Sequence, residues 1–228
     1  MDSGFHLFGA VHIAILGATV LLAAVLAALQ RRLTPGSRGL RLSFAAILIL
    51  ETAYWDIYQV RHGLLVFPTH LPLEFCDFTM YLSIVTLITL RPQVFDLAYY
   101  GAMAGSAMAL LTPDLSERFP SVPTVQFFVG HGLAVATALY VVWSGLGRPR
   151  KGSVVRAMLG VNVLAALDGT LDWAFRSNYM YLRTKPGSTT LLDVLGPWPW
   201  YILAAEGVAL VLFLLLYLPF RLTTARVA

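Results

Sequence analysis

The chain holds one cysteine, Cys76, in the run Leu71-Pro72-Leu73-Glu74-Phe75-Cys76-Asp77. Pro72 and the acidic residues mark a helix start, where free N–H groups and the helix dipole favour a thiolate, the nucleophilic form of cysteine. Glu74 and Asp77 oppose this with negative charge, so nucleophilic chemistry here requires a base or a cation as well. His131 is the candidate base. It stands between two glycines in Gly130-His131-Gly132, which strip bulk from around the ring at a cost in helix propensity. That cost fits an imidazole that something must approach closely. The same two residues also have structural readings, a small packing thiol and a hydrogen-bonded histidine strut.

Other polar residues interrupt apolar surroundings: His12, Glu51, Asp56, Gln59, Glu74, Asp77, Asp168, Asp172, Asn178 and Glu206. Spacing of i,i+4 puts Glu51 and Trp55 on one helix face, and Asp168 and Asp172 on another. Two carboxylates on one face repel unless bridged by a proton, by Arg176 one turn further on, by a histidine of a facing helix, or by a bound cation.

The elements that position these residues follow from composition. Hydrophobic residues make up 58% of the 228 and charged residues only 12%, against about 25% charged in soluble domains. An ordinary soluble enzyme is excluded, and the class is an integral membrane protein. The net charge of +4 is dispersed in short clusters between apolar windows, so no nucleic-acid face is expected. A single cysteine excludes a disulfide within the chain, and stability must come from helix packing. The first residues lack a basic n-region and read as a helix rather than a cleavable leader. Fourteen of the basic residues are arginine, a bias consistent with a GC-rich bacterial genome.

Seven windows are long enough to span a hydrocarbon core about 30 Å thick: residues 5–29, 40–62, 73–90, 94–112, 123–145, 154–175 and 198–220. They predict an all-α, single-domain, seven-helix transmembrane bundle over 1–228. Arg91-Pro92-Gln93 predicts a tight hairpin between the third and fourth helices. The run Gly101-Ala-Met-Ala-Gly105 predicts a small-residue packing face. With the N-terminus outside, eleven basic residues fall in inner loops and five outside, so the positive-inside rule predicts an external N-terminus and a cytoplasmic C-terminus.

In that orientation the polar residues cluster in the outer half of the bilayer, with Asp96 and Asn162 as exceptions. The pattern predicts an outward-open polar cavity lined by His12, Cys76, His131 and Asp168. At about 1.5 Å per residue, Cys76 lies about 6 Å and His131 about 12 Å below their helix starts, so contact needs a tilt or a boundary shift. The tryptophans of Trp198-Pro199-Trp200 read as interfacial anchors.

These motifs, with Asn178-Tyr179-Met180-Tyr181-Leu182-Arg183-Thr184-Lys185-Pro186 and Leu195-Gly196-Pro197-Trp198-Pro199-Trp200-Tyr201, resemble the bacterial YwaF proteins and their animal relative, transmembrane protein 164, over nearly the whole chain. The resemblance implies a seven-helix membrane fold. For the animal member it implies acyl transfer on ether phospholipids through a Cys and a His, which fall on Cys76 and His131.

The leading expectation is therefore a thiol-dependent acyltransferase or glycerolipid hydrolase of the bacterial inner membrane. Its catalytic pair is Cys76 and His131, its supporting or substrate-binding residues are His12, Glu51, Trp55, Glu74, Asp77, Asp168, Asp172 and Asn178, and its partner is membrane lipid. No cofactor or metal is expected. A transporter or small-molecule receptor is the alternative, with Glu51 or Asp168 carrying a proton. A zinc hydrolase using His12, His131 and an Asp ranks lower, because the two histidines form no HxxxH pair.

Overall fold

The computed structural model describes residues 5–34, 37–115, 117–187 and 190–225. Seven long helices form among them: α1 (Ala10–Arg32), α2 (Gly39–Arg61), α3 (Phe75–Thr89), α4 (Pro92–Leu111), α5 (Val122–Trp143), α6 (Ser153–Phe175) and α7 (Trp200–Ala225). The described residues contain no strand, only an isolated bridge between Val66 and His70. Outward faces carry Leu21, Leu50, Val155, Leu159, Val163 and Leu215, all exposed, the reverse of a soluble bundle's polar exterior.

Five helices, α1 and α4 to α7, are long and apolar enough to cross a membrane. The expected seven spans differ from this at two places. α3 has only 15 residues, and α2, though 23 residues long, carries Glu51, Asp56 and Gln59. These two helices hold much of the candidate chemistry, and polarity there replaces uniform hydrophobicity. The start of α1 also differs from the expected residue 5. Phe8 adopts a left-handed conformation with φ 57°, and its N–H is drawn to His12 Nδ1 at 2.9 Å, so the regular helix begins at Ala10.

Helix α5 occupies the centre, packed against α1, α2, α3 and α4. Its buried Gly132, Ala134, Ala136 and Ala138 let neighbouring backbones approach. Contacts at one end of the bundle fix the alternation of helix direction. Arg31 of α1 donates to the carbonyl of Trp143 at the end of α5, and Arg41 of α2 to that of Leu87 near the end of α3. Both place a cation on the negative end of a helix. At the same end Asp96 of α4, wholly buried, meets Arg150 and Arg156 at 2.8 Å each. Tyr99 of α4 donates to Leu216 O near the end of α7 at 3.3 Å.

The hairpin between α3 and α4 forms as the sequence predicts. Leu90 closes α3 with φ 50°, and Pro92 opens α4 at a position where its missing N–H costs nothing. The small-residue run also packs as expected, through a local π-helical stretch at Gly101–Ser106. A Cβ on Gly101 would lie 2.5 Å from Thr79 Oγ1, and one on Gly105 2.6 Å from the Phe75 ring. Only glycine admits so close a meeting of α3 and α4.

Candidate functional site

The site is built around the start of α3. The Glu74 N–H donates to Asp77 Oδ2 at 2.9 Å, so the Asp77 carboxylate is engaged in starting the helix. Cys76 is the second helical residue, half-buried, with a free thiol.

The segment between α6 and α7 closes over this helix start as a strap. The Tyr179 hydroxyl donates to Pro68 O at 3.0 Å and accepts from Leu71 N at 2.8 Å. Met180 N–H reaches Glu74 Oε2 at 3.4 Å. Asp172 Oδ1 accepts from Ser177 Oγ at 2.8 Å and from Tyr179 N at 2.9 Å. Asn178, expected in the site, instead closes the strap on itself. Its Oδ1 accepts from Arg183 N and Thr184 N, and its Nδ2 donates to Thr184 O. Trp198 Nε1 donates to Leu182 O at 3.1 Å, and the Tyr201 hydroxyl donates to Tyr181 O. Arg176, Met180 and Tyr181 all take positive φ, a strain these bonds must hold. Burial holds the Tyr181 phenol above its ordinary value, and the charges of Asp114, Glu74 and Cys76 add to the shift. The distinctive Asn-Tyr-Met-Tyr motif is thus tied to the segment that leads into α3.

The two intramembrane histidines differ in what their nitrogens are free to do. His12 is fully buried. Its Nδ1 accepts from Phe8 N, so Nε2 carries the proton and donates to Leu110 O at 2.7 Å. Both nitrogens are engaged, and the ring packs against Phe5 and Phe8. The expected cavity residue is a strut between α1 and the end of α4. His131 is the converse case. Its Nδ1 lies 2.7 Å from Phe127 O, a pure acceptor, so Nδ1 bears the proton and Nε2 keeps its lone pair.

The glycines flanking His131 have a different purpose from the one their spacing suggests. A Cβ on Gly130 would lie 3.3 Å from both Glu51 Oε1 and Gln126 Nε2, and one on Gly132 3.0 Å from Thr19 Oγ1. They make room for α2 and α1, not for a ligand against the imidazole. Glu51 is held by Gln126 at 3.1 Å, and Trp55 stacks on Tyr58 with centroids 5.6 Å apart.

Cys76 and His131 both face the bundle. Cys76 shares its helix face with the buried Met80 and Ser83, and His131 with the buried Val135 and Ala138. Met80 Cε lies 3.9 Å from where a Gly130 Cβ would be, which registers the two helices. Cys76 is one turn nearer the start of α3 than Met80, and His131 one residue further from the start of α5 than Gly130, an axial offset of about 7 Å. Phe127, one turn nearer the start of α5, has its ring centroid 4.3 Å from that of His131.

Asp168 and Asp172 are 1% and 3% exposed. Each leaves Oδ2 without a hydrogen-bond partner. Neither pairs with Arg176 or with a histidine, and the charges acting on Asp168 are those of Glu74 and Asp172. The sequence predicts a single polar cavity lined by His12, Cys76, His131 and Asp168. A cavity of about 230 Å³ adjoins the site, walled by Phe75, Phe78, Leu164, Leu167 and Phe213 among others. A groove of about 360 Å³ runs beside Glu51, Tyr54, Val122 and Gln126. Neither has those four residues in its wall. His12 and His131 are drawn into local hydrogen bonds, Asp168 is not, and the walls of both spaces are mainly apolar. Among the described residues no three His, Cys, Asp or Glu groups are placed to hold a metal, and His12 has no nitrogen to give, so the zinc reading loses its ligand set.

Sequence reasoning passed over Gln126, Phe127, Tyr179 and Tyr181. Gln126, an uncharged amide in an otherwise apolar helix, was a signal in plain view. The others required knowing which elements meet.

A model of the TMEM164 family matches residues 7–217. A protein of Treponema pallidum (strain Nichols), described as uncharacterized, is 31% identical over 227 residues, covering 96% of this chain and 92% of its own length. No solved structure matches the chain.

Proposed function

The chain belongs to the TMEM164 family, and we propose that it is an intramembrane thiol-dependent acyltransferase or lipid hydrolase acting on glycerolipids of the bacterial inner membrane. In this reading all seven helices span the bilayer, α2 and α3 with their polar faces inward. The N-terminus is external, as the eleven-to-five distribution of basic residues favours. The observation that carries the reading is the hydrogen bonding of His131: with Nδ1–H given to Phe127 O, its Nε2 is a free base inside the bundle, on a helix packed against the one whose first turn carries Cys76.

The chemistry then follows. As Cys76 Sγ approaches His131, its proton passes to Nε2 and the sulfur attacks a lipid ester carbonyl. Asp77 and Phe78 both donate their N–H groups to Glu74 O, which leaves the N–H groups of Phe75 and Cys76 to receive the oxyanion. The ester C–O bond breaks, the departing glycerol oxygen takes the proton from His131, and a thioester remains on Cys76. A second lipid hydroxyl, or water, gives its proton to His131 and attacks the thioester. The Sγ–C bond breaks and the thiol is reprotonated. The axial offset between Cys76 and His131 closes as substrate binds, since catalytic contacts commonly tighten only then.

Incubation with lipid extract followed by intact-mass analysis tests this. An acyl adduct confined to Cys76, with turnover abolished in both Cys76→Ser and His131→Ala and reduced less in Asp168→Asn, is the expected result. Full turnover by Cys76→Ser excludes the thioester. The unpartnered oxygens of Asp168 and Asp172 favour a second reading, a transporter or receptor for a polar solute, in which a labelled solute binds wild-type and Cys76→Ser protein equally and no adduct forms.

A further inference from the structure

Asp168 and Asp172 stand apart from the other buried polar groups of the bundle. Asp96 is as deeply buried, yet it has two arginines. Asp168 and Asp172 have no cation, and Oδ2 of each is unpartnered in the interior. Glu74 adds a third negative charge from the start of α3, acting on Asp168 and acted on by Asp172. Buried carboxylate oxygens without partners are costly, and like charges one helical turn apart add to the cost. Something positive must complete the cluster. Among the described residues the three carboxylates do not converge as the ligands of a metal ion would, and Asp168 and Asp172 are the pair that a cation can bridge.

The surroundings indicate what kind of cation does suit it. The apolar cavity of about 230 Å³ runs between α3 and α6, the helices that start at Glu74 and carry Asp168, and none of the three carboxylates is in its wall. On α6 its wall includes Leu164 and Leu167, one turn and one residue before Asp168. On α3 it includes Phe75, the residue after Glu74. Asp168 follows the wall residues Leu164 and Leu167 along α6, and the apolar slot extends away from it towards Ala157. A small inorganic cation has no use for such a slot.

We propose that Asp168, Asp172 and Glu74 form a binding site for the ammonium group of an amphiphile whose apolar chain lies in the cavity between α3, α4, α6 and α7. The ammonium donates to Oδ2 of Asp168 and Oδ2 of Asp172, charge-assisted bonds that satisfy both oxygens. Glu74 contributes its charge from across the cluster while keeping its contact with the Met180 N–H. Asp172 Oδ1 stays on Ser177 and Tyr179, which couples occupancy of the site to closure of the strap. The ammonium belongs either to the amino head group of a membrane lipid or to a free long-chain amine. The site itself does not depend on thioester chemistry, although it lies against the helix start that carries Cys76.

The test uses the full chain in neutral maltoside micelles with labelled dodecylammonium as probe and dodecanol as the uncharged control. Saturable binding of dodecylammonium, with a rise in melting temperature that dodecanol does not give, is expected of wild-type protein. Asp168→Asn should weaken binding about tenfold or more, with the circular dichroism of the wild type. Asp168 makes no hydrogen bond that the amide would break, so this variant keeps its fold where Asp172→Asn would disturb the strap. Competition by an ethanolamine phospholipid but not by a phosphatidylglycerol identifies the lipid source, and competition by neither identifies the free amine. Equal binding by Asp168→Asn overturns the proposal. So does absence of saturable binding to the wild type, in which case the two carboxylates are bridged by a shared proton. Cys76→Ser binds the probe as the wild type does. Probe binding without a Cys76 adduct therefore refutes only the catalytic reading, and an adduct without probe binding refutes only this one.

Discussion

Replacing Tyr179 by phenylalanine removes one oxygen and should expose Cys76. The Tyr179 hydroxyl is the two-way tie between the strap and the segment entering α3, donating to Pro68 O at 3.0 Å and accepting from Leu71 N at 2.8 Å. The residue is 2% exposed, so neither partner gains ready access to water in its place. At about 0.5–1.5 kcal/mol per bond, with Leu71 N–H left unsatisfied, the closed strap should lose about 2 kcal/mol. Local opening is governed by that difference, so the open population should rise about thirtyfold. Its readout is the rate at which Cys76, the chain's one thiol, reacts with a bulky maleimide at a reagent concentration low enough that the strap opens and recloses many times before each reaction, so that the rate follows the open population. Unlabelled and fully labelled endpoints are read by mass. The expected result is alkylation faster by about one to two orders of magnitude, with α-helical circular dichroism unchanged. A rate within twofold of wild type would show that the strap does not control access to Cys76.

Two further outcomes follow from the packing. Gly101→Ala places a methyl 2.5 Å from Thr79 Oγ1, and Thr79 is 1% exposed and bonded to Phe75 O at 2.9 Å; destabilisation of about 1–3 kcal/mol is expected in denaturant titrations in micelles, and a neutral substitution would mean α3 and α4 are not so closely apposed. His12→Leu should cost about 2–4 kcal/mol, since it breaks a buried bond to Leu110 O and orphans Phe8 N–H, while His131→Leu should cost no more than about 1 kcal/mol because its one bond is to its own helix; equal losses would erase the distinction drawn between strut and base.

Much of the architecture is written locally. Hydrophobic windows of about 20 residues must be helices in a bilayer, because no other local structure satisfies every backbone polar group there. Hence the helix positions, the Arg91-Pro92 hairpin and the packing role of Gly101 to Gly105 could be read from neighbouring residues alone. Helical periodicity likewise placed Asp168 and Asp172 on one face, and the Cys76 environment as a helix start follows from Pro72, Glu74 and Asp77. Family membership too was legible, in the motifs around residues 71–77 and 178–201.

Tertiary structure decided which polar group meets which. Sequence depth grouped His12 with His131, but a histidine's chemistry depends on where both nitrogens go. Only the fold brings Phe8 N and Leu110 O to His12 while leaving His131 Nε2 free. The glycines beside His131 looked like clearance for a ligand, yet Glu51 and Thr19 arrive from other helices, and Gln126 from one turn earlier on the same helix, to occupy that space. Asn178 and Tyr179 are adjacent in the chain but serve opposite ends of one device. Asn178 folds the strap onto itself, and Tyr179 anchors it to residues 108 and 111 positions earlier. Helix formation is a matter of local hydrogen bonds and solvent, so a single sequence records it. Long-range pairing of buried polar groups depends on rotations and registers of whole helices, which no local pattern encodes.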